Sequence, residues 1–465
     1  MKGGRAVEEW PCGVVWGQRV AGELQSDGHP GGCADGGGGA CSIEGELGRG
    51  IAVLGARRQL VQGRGKRLVA LGAAVVLGAG CAAGPQSVPV KSVASPGVTA
   101  VGPVPSPVRT AKGRGWRLEY VGDRRGVRLK AVAASGPRDV WALGSPHEGV
   151  GPMLLLHFDG RRWRERPAPP MTWDSKDDER FPVLVATGSR DAWVFAATAA
   201  LSAHHWDGER WSPVGLPDMD YDAGERAGAA ALAADDVWLV VGDRAAHWDG
   251  RGWTVMRLPA WAEAVSAVAP DQVWAVGGTG RPLARGHSAS QAAAMLWDGR
   301  SWRLVPVPED RTPSKEINSQ GRPDGSIPSI RLTQVVAHTP GNVWAIGTRR
   351  VFDYEDGSRS STVTLHWDGT AWARVVGSAY VGAAGSDGVD GIVLVDGDVG
   401  AEGGLSGAVR VAPDGSRTEL PPMAGVDRRR EVDVSAASAV PGTGRVYAVG
   451  LVYGKGYGPM IARYR

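Results

Sequence analysis

Residues 236–256 read DVWLVVGDRAAHWDGRGWTVM, and the same phrase recurs along the chain. In order, it contains a turn, a tryptophan after valine or alanine, a variable stretch, a D-G pair and a second tryptophan. Self-similarity at a regular spacing is the sequence signature of a repeat architecture. The five clear copies align through two tryptophan series: Trp141, Trp193, Trp238, Trp274 and Trp344 in the first, and Trp163, Trp211, Trp253, Trp302 and Trp372 in the second.

Each copy predicts four short antiparallel strands. An apolar run precedes the turn, and the D-G pair favours a tight hairpin because glycine tolerates positive φ. Two degenerate copies follow, with Arg417 in the second tryptophan position of the sixth and Tyr447 in the first tryptophan position of the seventh. Four strands in about 40–50 residues are typical of one blade of a β-propeller.

The seventh copy stops before its fourth strand. The stretch GRGWRLEYV (113–121), with Trp116, has the form of a fourth strand without the preceding three. Pairing of the two chain ends would close the ring and cover strand edges. The sequence therefore predicts an all-β protein, a seven-bladed β-propeller over 113–465 closed by an N-terminal strand, preceded by a signal peptide and a flexible linker.

The pattern resembles kelch and galactose-oxidase-like bacterial propellers. The resemblance rests on VWAVGG at 273–278, the WDGxxW turns and LPPM at 420–423. The resemblance to galactose oxidase implies a copper site with a cysteine-linked tyrosine. The chain has no cysteine after Cys81, so that chemistry is excluded, and we expect no cofactor.

The region before the repeats has the anatomy of a secretory signal. A basic segment (64–67) precedes an apolar run (68–77), small residues and Cys81. This resembles a bacterial lipoprotein signal, which implies that Cys81 is lipidated and begins the mature chain. Gly78 stands where that family prefers leucine, so cleavage by the ordinary signal peptidase stays open as an alternative.

The expected organisation has four parts: 1–60 as a misannotated or disordered leader, 61–81 as the signal peptide, 82–112 as a Pro/Ser-rich tether and 113–465 as the propeller. The leader has no sustained periodicity, and Val61 is the expected true start. The Gly-, Ala-, Val- and Arg-rich composition fits a high-GC genome such as that of an actinobacterium. We expect the mature protein on the outer face of the cytoplasmic membrane, lipid-anchored, or secreted.

Charge and motif content exclude several functions. The formal net charge of the 465-residue chain is only +3, which argues against nucleic acid as a partner. No run of 18 apolar residues occurs, so we expect membrane association through the lipid anchor only. There is no G-x-S-x-G or H-E-x-x-H motif. The protein is expected to be a monomer and more a binding protein than an enzyme.

The repeated side chains have structural explanations. Tryptophans that recur at one position are expected to pack between blades. Four histidines precede D-G turns: His157, His205, His247 and His366. Because they occupy equivalent positions in different repeats, they should not meet at one metal ion. We expect each of them to form a hydrogen bond to a neighbouring turn. We therefore predict no metal site. Trp173 falls outside both series and is expected in a loop, where it is a binding candidate.

Function is expected where the loops are long. The turns between first and second strands and between third and fourth strands are short, whereas the other connections carry insertions at 170–181, 278–294, 309–329 and 348–362. Alternate turns of a meander lie at opposite edges, so all four insertions should lie on one face. The candidate binding residues there are Trp173, Asp177, Asp178, Arg180, Arg281, His287, Lys315, Arg322, Tyr354, Asp356 and Arg359.

Three functional hypotheses follow. The first is an extracytoplasmic, lipid-anchored propeller that binds a protein or cell-envelope glycan through the insertion-bearing face. The alternative is a secreted glycan-active hydrolase or lyase, which paired carboxylates about 5–10 Å apart would support. Two of Asp177, Asp178, Asp353 and Asp356 facing one pocket would favour it. A third hypothesis is an adhesion or assembly scaffold.

Overall fold

A computed structural model describes the repeat region. The described residues are 108–110, 115–174, 182–197, 200–222, 225–280, 290–311, 313, 327–353, 357–375, 381–396, 408–421, 432–453 and 458–464. All of them belong to the compact unit Ser95–Arg465. The leader, the signal peptide with Cys81 and the tether up to 107 lie outside the described residues. In the described part of the chain there is no helix, and so none that could span a membrane.

The protein is built from short β-strands. Those of the first three repeats and the segments before them are β1 (Val108–Thr110), β2 (Trp116–Val121), β3 (Val127–Gly136), β4 (Asp139–Pro146), β5 (Val150–Pro152), β6 (Leu154–Phe158), β7 (Trp163–Arg166), β8 (Thr172–Asp174), β9 (Val183–Gly188), β10 (Asp191–Ala197), β11 (Leu201–Trp206), β12 (Trp211–Val214), β13 (Ala227–Ala233) and β14 (Asp236–Trp248). The remainder are β15 (Trp253–Ala269), β16 (Gln272–Gly278), β17 (Ala292–Trp297), β18 (Trp302–Val305), β19 (Ser329–Thr339), β20 (Asn342–Asp353), β21 (Gly357–Trp367), β22 (Trp372–Val375), β23 (Val381–Ser386), β24 (Ile392–Asp396), β25 (Ala408–Val411), β26 (Arg417–Leu420), β27 (Val432–Val440), β28 (Arg445–Val452) and β29 (Gly458–Tyr464).

Each repeat supplies an antiparallel meander, and the assembly is an all-β propeller. The sheet β3-β4-β6-β7 is the first repeat, β9 to β12 the second and β19 to β22 the fifth. The ring closes as predicted: β2 pairs antiparallel with β29 and completes the sheet of β27 and β28. The N-terminal strand thus supplies the fourth strand that the seventh repeat lacks.

The number of separate sheets differs from the prediction of seven blades. Among the described residues there are six sheets of four to six strands, because β13 to β18 of the third and fourth repeats share one. The rings of Trp238 and His247 lie 4.2 Å apart, whereas nine residues of straight strand span about 30 Å. β14 therefore doubles back at Gly242, where φ is 57°. This tight turn replaces a loop, and Gly242 pairs with Ala262, which continues the sheet.

A glycine stands three residues after Trp141, Trp274 and Trp344, and it permits close approach of two strands. The first strand of a repeat bulges, for example between Leu332 and Gln334. A Cβ placed on Gly347 would lie 2.0 Å from the Arg331 carbonyl oxygen, which is far inside contact distance. The bulge in β27 repeats this arrangement against Gly450. Glycine is required there because any side chain would push the second strand away from the first.

Aromatic side chains pack between successive repeats and form a large part of the core, together with many aliphatic side chains. Trp193 contacts Trp248 of the next repeat at 5.7 Å between ring centroids, and Trp274 contacts Trp367 at 5.3 Å. All five first-series tryptophans are at most 1% exposed. The packing role predicted for them is confirmed. Burial of these large indole side chains contributes strongly to the stability of the folded propeller.

A further strand extends the sixth repeat. β1 pairs in parallel with β26, with Val108 opposite Arg417 and Thr110 opposite Glu419. β1 falls inside the segment expected to be a tether (82–112). These three residues are paired to the outer edge of a sheet.

Candidate functional site

A central channel passes between the first strands of the repeats. Its volume is about 880 Å³, and all seven first strands contribute to its wall, including Val132 of β3, Thr333 of β19 and Ser435 of β27. Most lining side chains are alanine, glycine, serine or valine. Small side chains keep the channel open, because bulky ones would meet across it.

The two ends of the channel differ in chemistry. We call the end with the second-to-third-strand and inter-repeat connections the insertion end, and the opposite one the turn end. At the insertion end, a pocket of about 240 Å³ is lined by Lys130, Arg226 and Glu263, together with the polar side chains of Thr333, Gln334 and Ser435. Within the described lining, charge is concentrated at the insertion end.

Two polar atoms at this mouth lack protein partners. The Gln334 Oε1 and Ser435 Oγ atoms are buried and accept or donate no hydrogen bond among the described residues. A buried polar atom normally has a partner, since leaving it unpaired costs about 1–3 kcal/mol. Both atoms belong to residues that line the channel and its mouth. They offer hydrogen-bonding positions to whatever occupies the mouth.

Ion pairs between neighbouring first strands hold the mouth in shape. Arg331 Nε donates to Glu263 Oε1 at 2.5 Å, and an Arg331 amino group reaches the Gly280 carbonyl at 2.8 Å. Arg128 pairs with Asp433 in the same way between β3 and β27. These pairs are largely shielded from water and join the first strands of neighbouring repeats.

The bases of two insertions are joined by a buried glutamine. Gln291 is 0% exposed; its Nε2 donates to the Pro328 carbonyl at 3.0 Å, and its Oε1 accepts from the Asp310 amide at 2.9 Å. Arg349 in turn donates to the Asp310 carboxylate at 2.9 Å. The insertions at 278–294 and 309–329 therefore start from one cross-linked base beside the mouth.

Trp173 is not the exposed loop residue expected from the sequence. It lies in β8, which pairs with β5, and its side chain is 0% exposed within the core between the first and second repeats. The Lys130 ammonium lies 5.2 Å from its ring centroid. The error has a physical cause: the second-to-third-strand connection of the first repeat forms β5, which pairs with the inserted segment. The Trp173 ring thus packs in the core against the Lys130 side chain, and its predicted contact with a ligand stays a prediction.

The other predicted binding residues lie where no side chain is described. They are Asp177, Asp178, Arg180, Arg281, His287, Lys315, Arg322, Tyr354, Asp356 and Arg359. The Asp353 side chain is likewise outside the description, so the carboxylate pairing set as a criterion for catalysis stays a prediction. The flanks of the 348–362 insertion continue β20 and β21 as one long hairpin, in which Asp353 is opposite Gly357.

A carboxyl cluster lies beside the mouth at the insertion end. Glu225 is 6% exposed, and burial, with the nearby charges of Asp243 and Asp220, raises its pKa to about 7. Arg244 contacts both aspartates at 3.5 Å. Asp220 has a φ of 53°, an unusual conformation for a residue other than glycine. No sequence motif indicated this cluster.

The histidines make the hydrogen bonds predicted for them. His205 Nε2 is 2.6 Å from Asp191 Oδ1, and His247 Nε2 is 2.9 Å from Asp236 Oδ1. In the fifth repeat His366 instead bonds to Asn342 at 3.0 Å. Each ring also packs on the first-series tryptophan of its own repeat. Among the described residues, no group of three or more His, Cys, Asp or Glu side chains is placed to hold a metal ion.

The turn end has one titratable group in the described lining. His338 Nε2 lies 2.9 Å from the Gly391 carbonyl, and burial lowers its pKa. A neutral imidazole that donates to this carbonyl links the fifth repeat to the sixth. We therefore assign it a structural role.

Comparison with known proteins finds similar solved structures and no family. No protein-family model matches the chain, and no curated protein matches it. Among solved structures, YCF48 bound to a D1 peptide is 11% identical with a TM-score of 0.44, over 77% of this chain and 99% of that one. The SapL1 lectin in complex with alpha methyl fucoside is 12% identical with a TM-score of 0.36, over 73% and 96%. The Myceliophteria thermophila Cps50 (Swd1) β-propeller domain is 8% identical with a TM-score of 0.42, over 74% and 99%.

Proposed function

We propose that this chain is an extracytoplasmic, lipid-anchored β-propeller that binds a protein or a cell-envelope glycan at the insertion end of its channel. The observation that carries the proposal is the mouth itself. Lys130, Arg226 and Glu263 surround it, and the Gln334 and Ser435 side chains present unpaired buried polar atoms there. The turn end has no comparable concentration of charge in its described lining.

The location in the proposal rests on the sequence before the propeller. The basic segment, the apolar run and Cys81 fit a lipoprotein signal, and the Pro/Ser-rich stretch after it fits a spacer. The kelch-like character rests on the repeated tryptophan and D-G pattern. A tethered ring with a chemically distinct end suits capture of a partner at the cell surface.

Substitution at the two ends tests the proposal. Thr333→Trp fills the mouth, whereas Arg300→Trp adds the same side chain to an exposed turn at the turn end. The full chain and both variants are compared for binding to isolated cell-wall glycan and to detergent-extracted envelope proteins. We expect Thr333→Trp to weaken binding about tenfold or more, close to 1.4 kcal/mol, and Arg300→Trp to leave it unchanged. Equal binding by all three proteins would contradict the proposal.

The Glu225 cluster favours a second candidate function, glycan hydrolysis or elimination. A buried carboxyl whose pKa is raised to about 7, with further carboxyl groups close by, suits the general acid that such enzymes use. Release of reducing sugar from envelope glycan would support it if Glu225→Gln abolishes the activity and Glu209→Gln, at an exposed turn, does not. Absence of release by the unaltered protein would reject it.

A further inference from the structure

The two-stranded ribbon of the first repeat has one face toward solvent. In the pairing of β5 with β8, Pro152 is opposite Thr172 and Val150 is opposite Asp174. Because side chains alternate along a strand, these four lie on one face, and Trp173 lies on the other, in the core. Val150 is 67% exposed, the highest value for a large hydrophobic side chain among the described residues. Pro152 and Thr172 are exposed as well.

The ribbon borders an open groove of about 840 Å³. The other walls come from the end of β7, the connection that follows it and Arg124, which lies after β2. Met153 belongs to the core between the first and second repeats, and Met171 packs against that core. At the rim, Pro167 and Pro170 are exposed. The groove therefore has an apolar floor and is open to solvent, and contiguous exposed apolar surface is characteristic of an interaction site.

The proline-rich wall of the groove is held in a fixed shape. The Pro167 carbonyl accepts a hydrogen bond from Trp211 Nε1 at 2.8 Å, which joins this wall to the second repeat. The Met171 amide donates to the Pro169 carbonyl at 2.7 Å, and Pro169 is buried. Because each proline also restricts its own φ, the wall loses little conformational freedom when a partner binds.

The chemistry of the lining favours a protein segment over a glycan. Seven of the eleven described lining residues are proline, methionine or alanine. A sugar presents many hydroxyl groups, and each needs a hydrogen-bond partner once it is buried. The described lining supplies few such partners, whereas proline and aliphatic side chains of a peptide need none.

The charges of the lining define one end of the groove. Arg124 and Glu165 pair with each other at 2.5 Å, so their charges cancel. Arg166 is exposed and makes no ion pair among the described residues. Asp174 lies at the opposite end of the ribbon, across from Val150. A complementary partner therefore carries its acidic side chain at the Arg166 end.

We infer that this groove docks an extended protein segment with proline or aliphatic side chains and an acidic side chain at the Arg166 end. The apolar side chains of the segment lie against Val150 and Pro152, and its carboxylate pairs with Arg166. The groove lies at the outer rim of the insertion end, and none of its residues lines the described channel mouth. The inference therefore stands or falls independently of the proposed function.

The test begins with selection of phage-displayed random decapeptides on the immobilised full chain. We expect the enriched peptides to combine proline or aliphatic residues with aspartate or glutamate. The most enriched peptide is then synthesised with a fluorophore, and its affinity for the full chain is measured by fluorescence anisotropy. Enrichment of no sequence, or of basic or wholly polar sequences alone, would overturn the inference.

Matched substitutions locate the binding surface. Val150→Asp places a charge on the ribbon face, and Val389→Asp makes the same change at the turn end, where the valine is 63% exposed. We expect Val150→Asp to weaken peptide binding about tenfold or more and Val389→Asp to leave it unchanged. Arg166→Glu should weaken it as well, and a peptide with lysine in place of its acidic residue should bind Arg166→Glu better than the unaltered protein. Equal binding by Val150→Asp and the unaltered protein, or equal losses in the two valine variants, would contradict docking in the groove.

Discussion

Removal of one indole from between two repeats gives a direct measure of what stabilises the ring. Trp274 is 0% exposed and contacts the rings of Trp367 and Trp372. Its Nε1 has no hydrogen-bond partner among the described residues, so Trp274→Ala removes apolar and aromatic contacts only.

Such a change in a packed core costs about 3–5 kcal/mol, of which each aromatic pair contributes roughly 0.5–1.5 kcal/mol beyond the buried area. The free energy of unfolding is measured by urea titration, with fluorescence and circular dichroism compared to establish that one transition is observed. We expect a lower midpoint with an unchanged slope.

Trp302→Ala is the matched control. Trp302 belongs to the second series, is only half-buried and contacts Trp238 at 5.7 Å. Its loss should destabilise the protein clearly less than the loss of Trp274. A loss below about 1 kcal/mol for Trp274→Ala, or equal losses for the two variants, would refute the packing argument.

Three further changes test other parts of the structure. Asp191→Ala removes the acceptor of the His205 hydrogen bond and should cost about 1–3 kcal/mol in urea unfolding, whereas Asp191→Asn should cost less because asparagine stands there in the fifth repeat. Gln291→Ala should cost about 2 kcal/mol, whereas replacement of 314–326 by a short glycine-serine link should leave the unfolding midpoint unchanged. Stability should fall as pH rises from 4.5 to about 7, since unfolded chains lose the Glu225 proton first; Glu225→Gln should reduce that slope, and an unchanged slope would show that other groups cause it.

Most of the fold could be predicted from the sequence because each repeat makes the same packing contacts and the same turns. The copies can be aligned through three features: a tryptophan at one position, a glycine where two strands are in close contact, and the D-G hairpin. The closing strand at Trp116 was predictable for the same reason. The sharing of one sheet by two repeats could not be predicted. It depends on a tight turn at Gly242, whose sequence does not differ from that of other short connections.

The candidate site was less predictable because it is built from residues that do not repeat. Lys130 and Gln334 lie in different first strands, Arg226 directly precedes a third, and the three meet only when the ring closes. Trp173 was misjudged because its burial requires β5, a short strand without a strong sequence signal.

Site-specific photo-cross-linking in the producing cells tests the central claim most directly. A benzophenone amino acid is placed at position 333 in the channel mouth or at position 300 at the turn end, and adducts are separated by mass. We predict a discrete adduct with an envelope protein or glycan from position 333 and none from position 300. Adducts from position 300 alone, or the same set from both positions, would contradict the assignment of binding to the insertion end.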